Sequence, residues 1–445
     1  MSNIHVRTRF APSPTGFLHV GGLRTALYNY LFARQNGGQF ILRVEDTDRT
    51  RIVEGAEENI IETLRIFGLD FDEGPVRQSE HLERYKECAK ELLAKGVAYE
   101  DGDAVRFKML KDGITSFTDI IHGEIRIENK TQEDFVILKS DGFPTYNLAH
   151  LVDDHDMAIT HVIRGDEFIS SMPKYIALHK AFSWELPQYA HLPLILDKNR
   201  AKLSKREGEM AVKDFLDDGY LKEAILNFAA LLGWHPAPEQ SSVLGKLLEK
   251  EIFSKEELIK EFKLERVQKA GAIFDTAKLD WMNGEYIRKK SPRELLERIM
   301  EAGLPLGSPA SKPEYLEKII ALEQFRLKKL SEFPEKTNYF FKEPEYNTAL
   351  LKWKNMSDAE IKKSLEISKN ILESLGAQDF TKENLEKIFL DKAEDLKDRG
   401  ELLWPLRVAL TGKKASPSPF EIMEILGKDK SIARVASALN MLKPH

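Results

Sequence analysis

Residues 11–22 (APSPTGFLHVGG) bring glycines and a histidine to a place where a strand gives way to a helix. Residues 5–12 alternate loosely between polar and apolar, and apolar side chains recur at helical spacing after Gly22. A helix start offers unpaired N–H groups and positive dipole charge to a polyphosphate. His19 is suited to donate to a phosphate whose charge grows in a transition state. The segment predicts a phosphate loop; the alternative is an ordinary turn.

A second candidate segment is residues 202–206 (KLSKR), which follows a predicted strand and a short polar loop. Lysines and an arginine around a serine suit a triphosphate and neutralise the leaving pyrophosphate. Taken alone, such a loop is more often a solvated surface. The two segments together, in this order and with an interrupted sheet between them, are far more specific for nucleotide chemistry.

These segments carry a family resemblance. The chain resembles bacterial-type glutamyl-tRNA synthetases, which are class I enzymes: residues 19–22 look like the first signature of that family and residues 202–206 like the second. Further similarity is found at residues 40–49, 144–149, 153–155, 160–165 and 402–412. The resemblance therefore spans nearly the whole chain.

The resemblance implies ATP-dependent ligation of L-glutamate to the 3′ end of tRNA(Glu) through a glutamyl-adenylate, with release of AMP and pyrophosphate. Glutamate carries two carboxylates and an ammonium, so its pocket requires planar cations and an anion. By similarity, the glutamate-binding residues are Arg9, Ser13, Glu45, Tyr146 and Arg164, with Glu45 facing the α-ammonium. The alternatives are a helix cap or surface ion pair for Glu45 and a surface salt bridge for Arg164.

The resemblance also implies an ATP site in which His19 and Lys205 are catalytic. The residues expected to bind ATP are His19, Gly21, Gly22, Lys202, Ser204, Lys205 and Glu167. Magnesium is expected to arrive with ATP and bridge its phosphates. Productive glutamate activation is expected to require bound tRNA.

No protein-bound metal is expected. Cys88 is the one cysteine of the chain, which excludes an internal disulfide and a multi-cysteine zinc site. His150 and Asp154 lie one predicted helical turn apart, but no further ligand has suitable spacing. We interpret Asp154 as a structural residue or as part of the nucleotide pocket.

The predicted fold class is α/β, with a Rossmann-type parallel-sheet catalytic domain, a mixed α/β insertion, and all-helical C-terminal domains. The predicted domains are catalytic (1–82 and 135–213), inserted and acceptor-end-binding (83–134), helical and stem-contacting (214–303), and helical and anticodon-binding (304–445). The insertion is shorter than is usual in the family it resembles and lacks the cysteine cluster of some members.

Composition limits the partners and the location. The net charge of −6 disfavours non-specific coating of nucleic acid, and no apolar run approaches the about 20 residues of a membrane span. With no charged-then-apolar leader at Met1, we expect a cytoplasmic protein that does not bind membranes. A monomer is expected because it fits a string of domains that wraps one tRNA. Its expected partner is tRNA(Glu), and tRNA(Gln) remains open. In the helical half, Arg407 and Arg434 are candidates for phosphate contacts, and Trp353 and Trp404 for base stacking.

Three rival functions are disfavoured. A truncated relative that glutamylates a modified tRNA base would lack the C-terminal half of this chain. A glutaminyl-tRNA synthetase is disfavoured because residues 11–16 depart from the Pro-Glu-Pro-Asn-Gly version of that family and because its anticodon module is β-rich. A non-catalytic paralogue would be expected to have a broken signature, whereas both signatures are intact.

Overall fold

The computed structural model describes residues 5–201, 203, 211–237, 242–243, 246–247, 250–307 and 312–442. The chain divides into two compact units, Met1–Met282 and Asn283–His445. The predicted division into four parts is finer than these two units and stays a prediction. Within the described residues, no helix combines the length and the apolar character needed to cross a membrane.

The first unit contains the strands. They are β1 (Arg7–Phe10), β2 (Gln39–Val44), β3 (Glu73–Arg77), β4 (Ala98–Asp101), β5 (Ala104–Phe107), β6 (Ile114–Asp119), β7 (Gly123–Glu128), β8 (Phe135–Leu138), β9 (His161–Gly165), β10 (Gln188–Leu192), β11 (Ile195–Leu196), β12 (Ser242–Val243), β13 (Lys246–Leu247) and β14 (Ala272–Ile273). β1, β2 and β3 pair in parallel, as do β9 and β10. The predicted parallel sheet is therefore confirmed.

The two parallel groups of strands meet where β1 lies beside the start of β9. The N–H of Thr160 donates to the carbonyl oxygen of Arg7 at 3.0 Å, and the N–H of Arg7 donates to Thr160 Oγ1 at 2.8 Å. The chain leaves β1 towards β2 and β3 on one side and returns to β9 and β10 on the other. Such a switch point leaves a crevice beyond the carboxyl ends of the strands, where ligands bind in open α/β sheets.

The predicted insertion, residues 83–134, contributes to two different sheets. β4 and β5 form an antiparallel sheet with β8. The β6–β7 hairpin instead extends the sheet of β9 and β10, because β6 pairs with β10 at Tyr189 and Asp119. The end of β6 is thereby placed in the same sheet as β9.

Helices form much of the rest of the described chain. In the first unit they are α1 (Val20–Gln35), α2 (Ala56–Ile66), α3 (Leu82–Ala94), α4 (Tyr146–Asp156), α5 (Met172–Phe182), α6 (Val212–Asp217), α7 (Lys222–Ala230) and α8 (Lys255–Glu261), and α9 (Thr276–Lys289) crosses the boundary. In the second unit they are α10 (Pro292–Glu301), α11 (Pro313–Glu323), α12 (Phe333–Thr337), α13 (Asp358–Ser374), α14 (Lys382–Ala393), α15 (Gly400–Thr411), α16 (Pro419–Leu426) and α17 (Lys428–Met441). Residues 283–307 and 312–442 contain no strand, which agrees with the predicted helical anticodon-binding region. The predicted helical domain 214–303 also contains the two-residue strands β12, β13 and β14.

Helix α1 is the central packing element of the first unit. Leu23, Leu27 and Leu31 recur every four residues, so they share one face of the helix, and all three are fully buried. Burial of each side chain contributes about 1.5–3 kcal/mol. The hydroxyl of Tyr28 donates to the carbonyl oxygen of Ala230 at 2.9 Å, which joins α1 to α7. This packing fixes the start of α1 against the strand ends.

In the second unit, one candidate for phosphate contact proves to be structural. Arg434 is buried and donates to the main-chain oxygens of Leu410, Tyr339 and Lys342. The prediction that Arg434 contacts phosphates is therefore wrong, because its guanidinium satisfies carbonyl groups in the interior. The indole N–H of Trp404 donates to the carbonyl oxygen of Leu350 at 2.8 Å.

Candidate active site

A cleft of about 940 Å³ opens where β1, β2 and β9 end and α1 begins. It is lined by every predicted site residue that the structure describes, namely Arg9, Ser13, His19, Gly21, Gly22, Glu45, Tyr146, Arg164 and Glu167. Lys202, Ser204 and Lys205 lie outside the described residues. The structure thus brings residues that are up to 158 positions apart in sequence (167 − 9) into one cleft.

His19 caps the helix at the edge of the cleft. Helix α1 begins at Val20, so Gly21 and Gly22 belong to its first turn. Their N–H groups donate to His19 Nδ1, at 3.1 and 3.4 Å. These two N–H groups are thus satisfied by the protein, contrary to the unpaired groups expected from the sequence. Because Nδ1 accepts, the neutral imidazole carries its proton on Nε2, the atom suited to donate to a phosphate.

The absence of side chains at both glycines keeps this corner of the cleft intact. A Cβ atom at Gly22 would lie 2.6 Å from Leu18 Cδ1, and one at Gly21 would lie 3.0 Å from His19 Cε1. A larger residue at either position would displace Leu18 or the capping imidazole. The glycines therefore preserve the position of His19.

A buried cluster of charges forms the floor of the cleft. Asp154 accepts from Arg9 Nε at 2.9 Å and from Arg43 Nη1 at 2.7 Å. Arg43 Nη2 also donates to Glu45 Oε1 at 3.2 Å. Burial raises the pKa of Asp154, but Arg9 and Arg43 outweigh it and hold that pKa below its ordinary value. Asp154 is therefore an ionised counter-ion for two buried arginines.

Asp153, the preceding residue of helix α4, anchors the same cluster through other partners. Its carboxylate accepts from Tyr85 Oη at 2.8 Å and from Gln78 Nε2 at 2.8 Å. Arg43 Nε lies 3.8 Å from the Asp153 carboxylate. These contacts tie α3 and α4 to β2, which carries Arg43.

The neighbouring arginines do not fully offset the effect of burial on the carboxylate of Glu45. Burial raises its pKa, and the opposing effects of Arg43 and Arg9 do not compensate fully. A further cation beside the carboxylate would favour its ionised form. The arrangement is thus suited to a ligand ammonium.

Arg164, at the end of β9, is a buried cation surrounded by aromatic rings, with 4% of its surface exposed. Its guanidinium carbon lies 4.8 Å from the ring centre of Phe168, 4.7 Å from that of Tyr175 and 5.5 Å from that of Tyr189. Burial lowers its pKa, but the nearby tyrosines and Asp154 outweigh this and raise it. Arg164 therefore stays charged.

Within the described part of the chain, Arg164 forms no ion pair. Its Nε donates to His191 Nε2 at 3.2 Å, Nη1 to Tyr146 Oη at 3.4 Å, and Nη2 to Met172 Sδ at 3.2 Å. All three acceptors are neutral, since burial raises the pKa of Tyr146 and lowers that of His191. A buried guanidinium that lacks an anion is suited to bind a ligand carboxylate.

Tyr146 is held in place by ring stacking. Its ring lies 4.4 Å from that of His150 at an interplanar angle of 10°, and 5.1 Å from that of Phe168. His150 is buried, and its Nδ1 lies 2.6 Å from the carbonyl oxygen of Tyr146. The phenol hydroxyl is thereby directed towards Arg164.

Comparison with known proteins identifies the family. Residues 5–104 and 100–281 match the model for the catalytic domain of class I tRNA synthetases (E and Q), and residues 294–439 match the model for an anticodon binding domain. A glutamate–tRNA ligase from Clostridium kluyveri is 42% identical, and the match covers 98% of each chain. This chain belongs to the glutamate–tRNA ligase family.

Solved structures of glutamate–tRNA ligases have the same fold. The ligase from Elizabethkingia meningosepticum, solved in complex with its amino acid, gives a TM-score of 0.85 at 33% identity, covering 98% of this chain and 100% of that chain. The enzyme from Elizabethkingia anophelis gives a TM-score of 0.83 at 32% identity over 98% of this chain and 100% of that chain. The predicted family and fold class are both confirmed.

The Clostridium kluyveri ligase contains residues that this chain lacks. The alignment of the two chains spans 493 positions, more than the 445 residues of this chain. The catalytic-domain model matches in two parts that meet at residues 100–104. This junction lies inside the segment that the sequence predicts to be a short insertion.

Proposed function

We propose that this chain uses ATP to attach L-glutamate to the 3′ end of tRNA(Glu). The observation that carries the proposal is the buried Arg164, which has no carboxylate partner in the described part of the chain. The side-chain carboxylate of glutamate supplies the missing anion. Glutamate is thus the amino acid whose side chain supplies a carboxylate to Arg164.

The other glutamate contacts follow from the neighbouring charges. Glu45 lines the cleft and is proposed to bind the α-ammonium. Burial raises the pKa of its carboxyl group, and a neighbouring cation would favour the ionised form. Ser13 and Tyr146 contribute hydroxyl groups at the same cleft, and Arg9 contributes a guanidinium already paired with Asp154. These assignments rest on family resemblance together with the position of each side chain.

The same charges reject glutamine. A glutamine side chain would put a neutral amide against Arg164 and leave that buried cation without its anion. Sites built around a specific polar partner reject analogues lacking it by about 10⁴- to 10⁵-fold. We expect labelled glutamate to be charged onto tRNA(Glu) and labelled glutamine to be refused. Comparable charging with both amino acids would show that Arg164 does not determine the selectivity for glutamate.

The first chemical step is adenylate formation. An oxygen of the glutamate α-carboxylate attacks the α-phosphorus of ATP, the bond from that phosphorus to the bridging oxygen of pyrophosphate breaks, and pyrophosphate leaves. His19 Nε2–H is placed to donate to the phosphate as negative charge builds. Lys205 has the same role by resemblance, and magnesium would accompany ATP as part of the substrate.

The second step transfers glutamate to tRNA. A terminal ribose hydroxyl of tRNA attacks the carbonyl carbon of the mixed anhydride, the carbon–oxygen bond to AMP breaks, and the hydroxyl proton leaves with AMP or solvent. The match of residues 294–439 to an anticodon binding domain supports a tRNA partner. One copy of the chain binds one tRNA in this proposal, and the reaction takes place in the cytoplasm. Whether tRNA(Gln) is also charged is a question for experiment.

Replacing His19 by asparagine tests its chemical role separately from its capping role. Asparagine is a preferred N-cap residue and accepts from the same N–H groups, so the helix should keep its stability. It lacks the Nε2 donor, so kcat for tRNA charging should fall by about 10²-fold. The measurement pairs steady-state charging with thermal unfolding. His19→Asn with wild-type kcat would show that the imidazole acts only as a cap.

A further inference from the structure

Two buried residues behind Arg164, outside the predicted site, are joined to it by hydrogen bonds. His191, on β10, is fully buried, and its Nε2 accepts from Arg164 Nε at 3.2 Å. Asp119, at the end of β6, is 1% exposed and lies 2.7 Å from His191 Nδ1. Hydrogen bonds thus connect β6 through His191 to Arg164 in the cleft.

The surroundings of Asp119 require an ionised carboxylate. Its Oδ1 accepts from the N–H groups of Ile121 and His122, both at 2.9 Å. Its Oδ2 accepts from the N–H of His191 at 3.1 Å in addition to the ring contact. Burial raises the pKa of Asp119, but its hydrogen bonds with His191 and the backbone outweigh this and lower it. Both oxygens therefore act as acceptors.

The carboxylate in turn fixes the tautomer of His191. An ionised Asp119 only accepts, so Nδ1 must carry the ring proton and donate it. Burial lowers the pKa of His191, which keeps the ring neutral. Nε2 then has a lone pair directed at Arg164 Nε–H, as the 3.2 Å contact requires. The opposite tautomer would set two N–H groups against each other.

The contact between His191 and Arg164 Nε leaves the terminal nitrogens of the guanidinium to contact a ligand. Of its five N–H groups, described residues engage one on Nε, one on Nη1 and one on Nη2. One N–H on each terminal nitrogen has no acceptor among the described residues, and two such N–H groups can bind a carboxylate in bidentate geometry. With Nε held by His191, the plane of the fork is fixed before the ligand arrives.

We propose that Asp119 and His191 are positioning residues that hold Arg164 for the side-chain carboxylate of glutamate. This inference rests on the proposed function and deepens it. By this inference, Asp119 on β6, a strand of the predicted insertion, helps to determine which amino acid the cleft binds. Side chains held by such supporting hydrogen bonds keep the geometry that recognition needs.

The test compares two substitutions of His191. Glutamine places an amide oxygen near the position of Nε2 and can still accept from Arg164, whereas leucine fills similar space without an acceptor. We expect His191→Leu to weaken L-glutamate binding, measured by isothermal titration calorimetry with tRNA(Glu) present, by about 10- to 100-fold, the range for a hydrogen bond to a charged group. His191→Gln should bind within about threefold of wild type, because it retains that bond.

A second readout separates positioning from general damage. In tRNA charging, His191→Leu should raise KM for glutamate and leave KM for ATP unchanged. Asp119→Asn should also raise KM for glutamate. Its amide NH2 group would face N–H donors that contact a carboxylate oxygen in the wild type. Equal effects on glutamate and ATP, wild-type glutamate binding by His191→Leu, or equal losses in the leucine and glutamine variants would each overturn the proposal.

The outcome also distinguishes this inference from the proposed function. A wild-type protein that binds glutamate but does not charge tRNA would refute the proposed function, while the binding comparison still decides the role of His191. A wild-type protein that, with tRNA(Glu) present, neither binds glutamate nor charges the tRNA would overturn both.

Discussion

Replacement of Arg164 by alanine is expected to lower kcat/KM for glutamate by about 10²- to 10³-fold. Removing one partner of a buried charge pair costs about 2–5 kcal/mol, and this pair forms when the glutamate side chain binds. The loss should appear mainly as a higher KM for glutamate, because the contact exists before and during reaction. Steady-state charging of tRNA(Glu) at varied glutamate concentrations measures it.

Two further variants give this experiment its controls. Arg164→Lys keeps the charge but cannot reproduce the fork held by His191 and Tyr146, so it should also lose most of the activity. Arg84→Lys changes an arginine of the same unit that pairs with Asp156 at the surface, and it should retain wild-type kinetics. An unchanged dependence on glutamate in Arg164→Ala would contradict the assigned role.

Replacement of Asp154 by asparagine is expected to lower the free energy of unfolding of the first unit by about 3–5 kcal/mol. The substitution leaves Arg9 and Arg43 buried without the carboxylate to which both donate. Because Arg9 is also a proposed glutamate contact, glutamate binding should weaken. Urea unfolding followed by tryptophan fluorescence gives the stability.

Asp156, two residues further along α4, offers a matched control. It pairs with Arg84 at the surface, so Asp156→Asn should change stability by less than about 1 kcal/mol. The pH dependence provides a second check. The lowered pKa of Asp154 means that its contribution is present above the ordinary aspartate pKa of about 3.9 and is lost as pH falls further. The difference between wild type and Asp154→Asn should therefore shrink in acid.

Local patterns in the sequence are sufficient to predict the sheet and the central helix, whereas the residues of the cleft are predicted by family resemblance. The strand before residue 11, the turn that follows and the helix after it are encoded by neighbouring residues, and the structure has β1 and α1 there. Arg9, Glu45, Tyr146 and Arg164 were assigned together because family resemblance ranges across the whole chain. Their arrangement in one cleft follows from parallel strands that end at the same edge.

Partners that depend on tertiary contact could not be predicted in this way. Arg43 interrupts the otherwise apolar run of β2, which signals a buried cation, but nothing local shows that its partner is Asp154, 111 positions away. The Asp119–His191 contact likewise joins strands 72 positions apart. His19 was expected to face a phosphate, and its second task as a helix cap became visible only with the backbone N–H directions.

The predicted insertion illustrates the same limit at the level of topology. Its composition indicates short strands, and β4 to β7 are indeed present. Composition does not specify which strand each one pairs with, because edge pairing depends on the rest of the sheet. The addition of β6 to β10 is what places Asp119 beside His191.

The most direct test of the proposed function is aminoacylation by the purified full-length protein with ATP, magnesium and labelled L-glutamate. Transcripts of tRNA(Glu) and tRNA(Gln) are assayed in parallel, with Arg164→Ala as the matched variant. The account predicts ATP-dependent charging of tRNA(Glu) by the wild type and a loss of about 10²- to 10³-fold in the variant at limiting glutamate. Charging of tRNA(Gln) as well would define a broader tRNA range. Folded wild-type protein that charges neither tRNA would contradict the account.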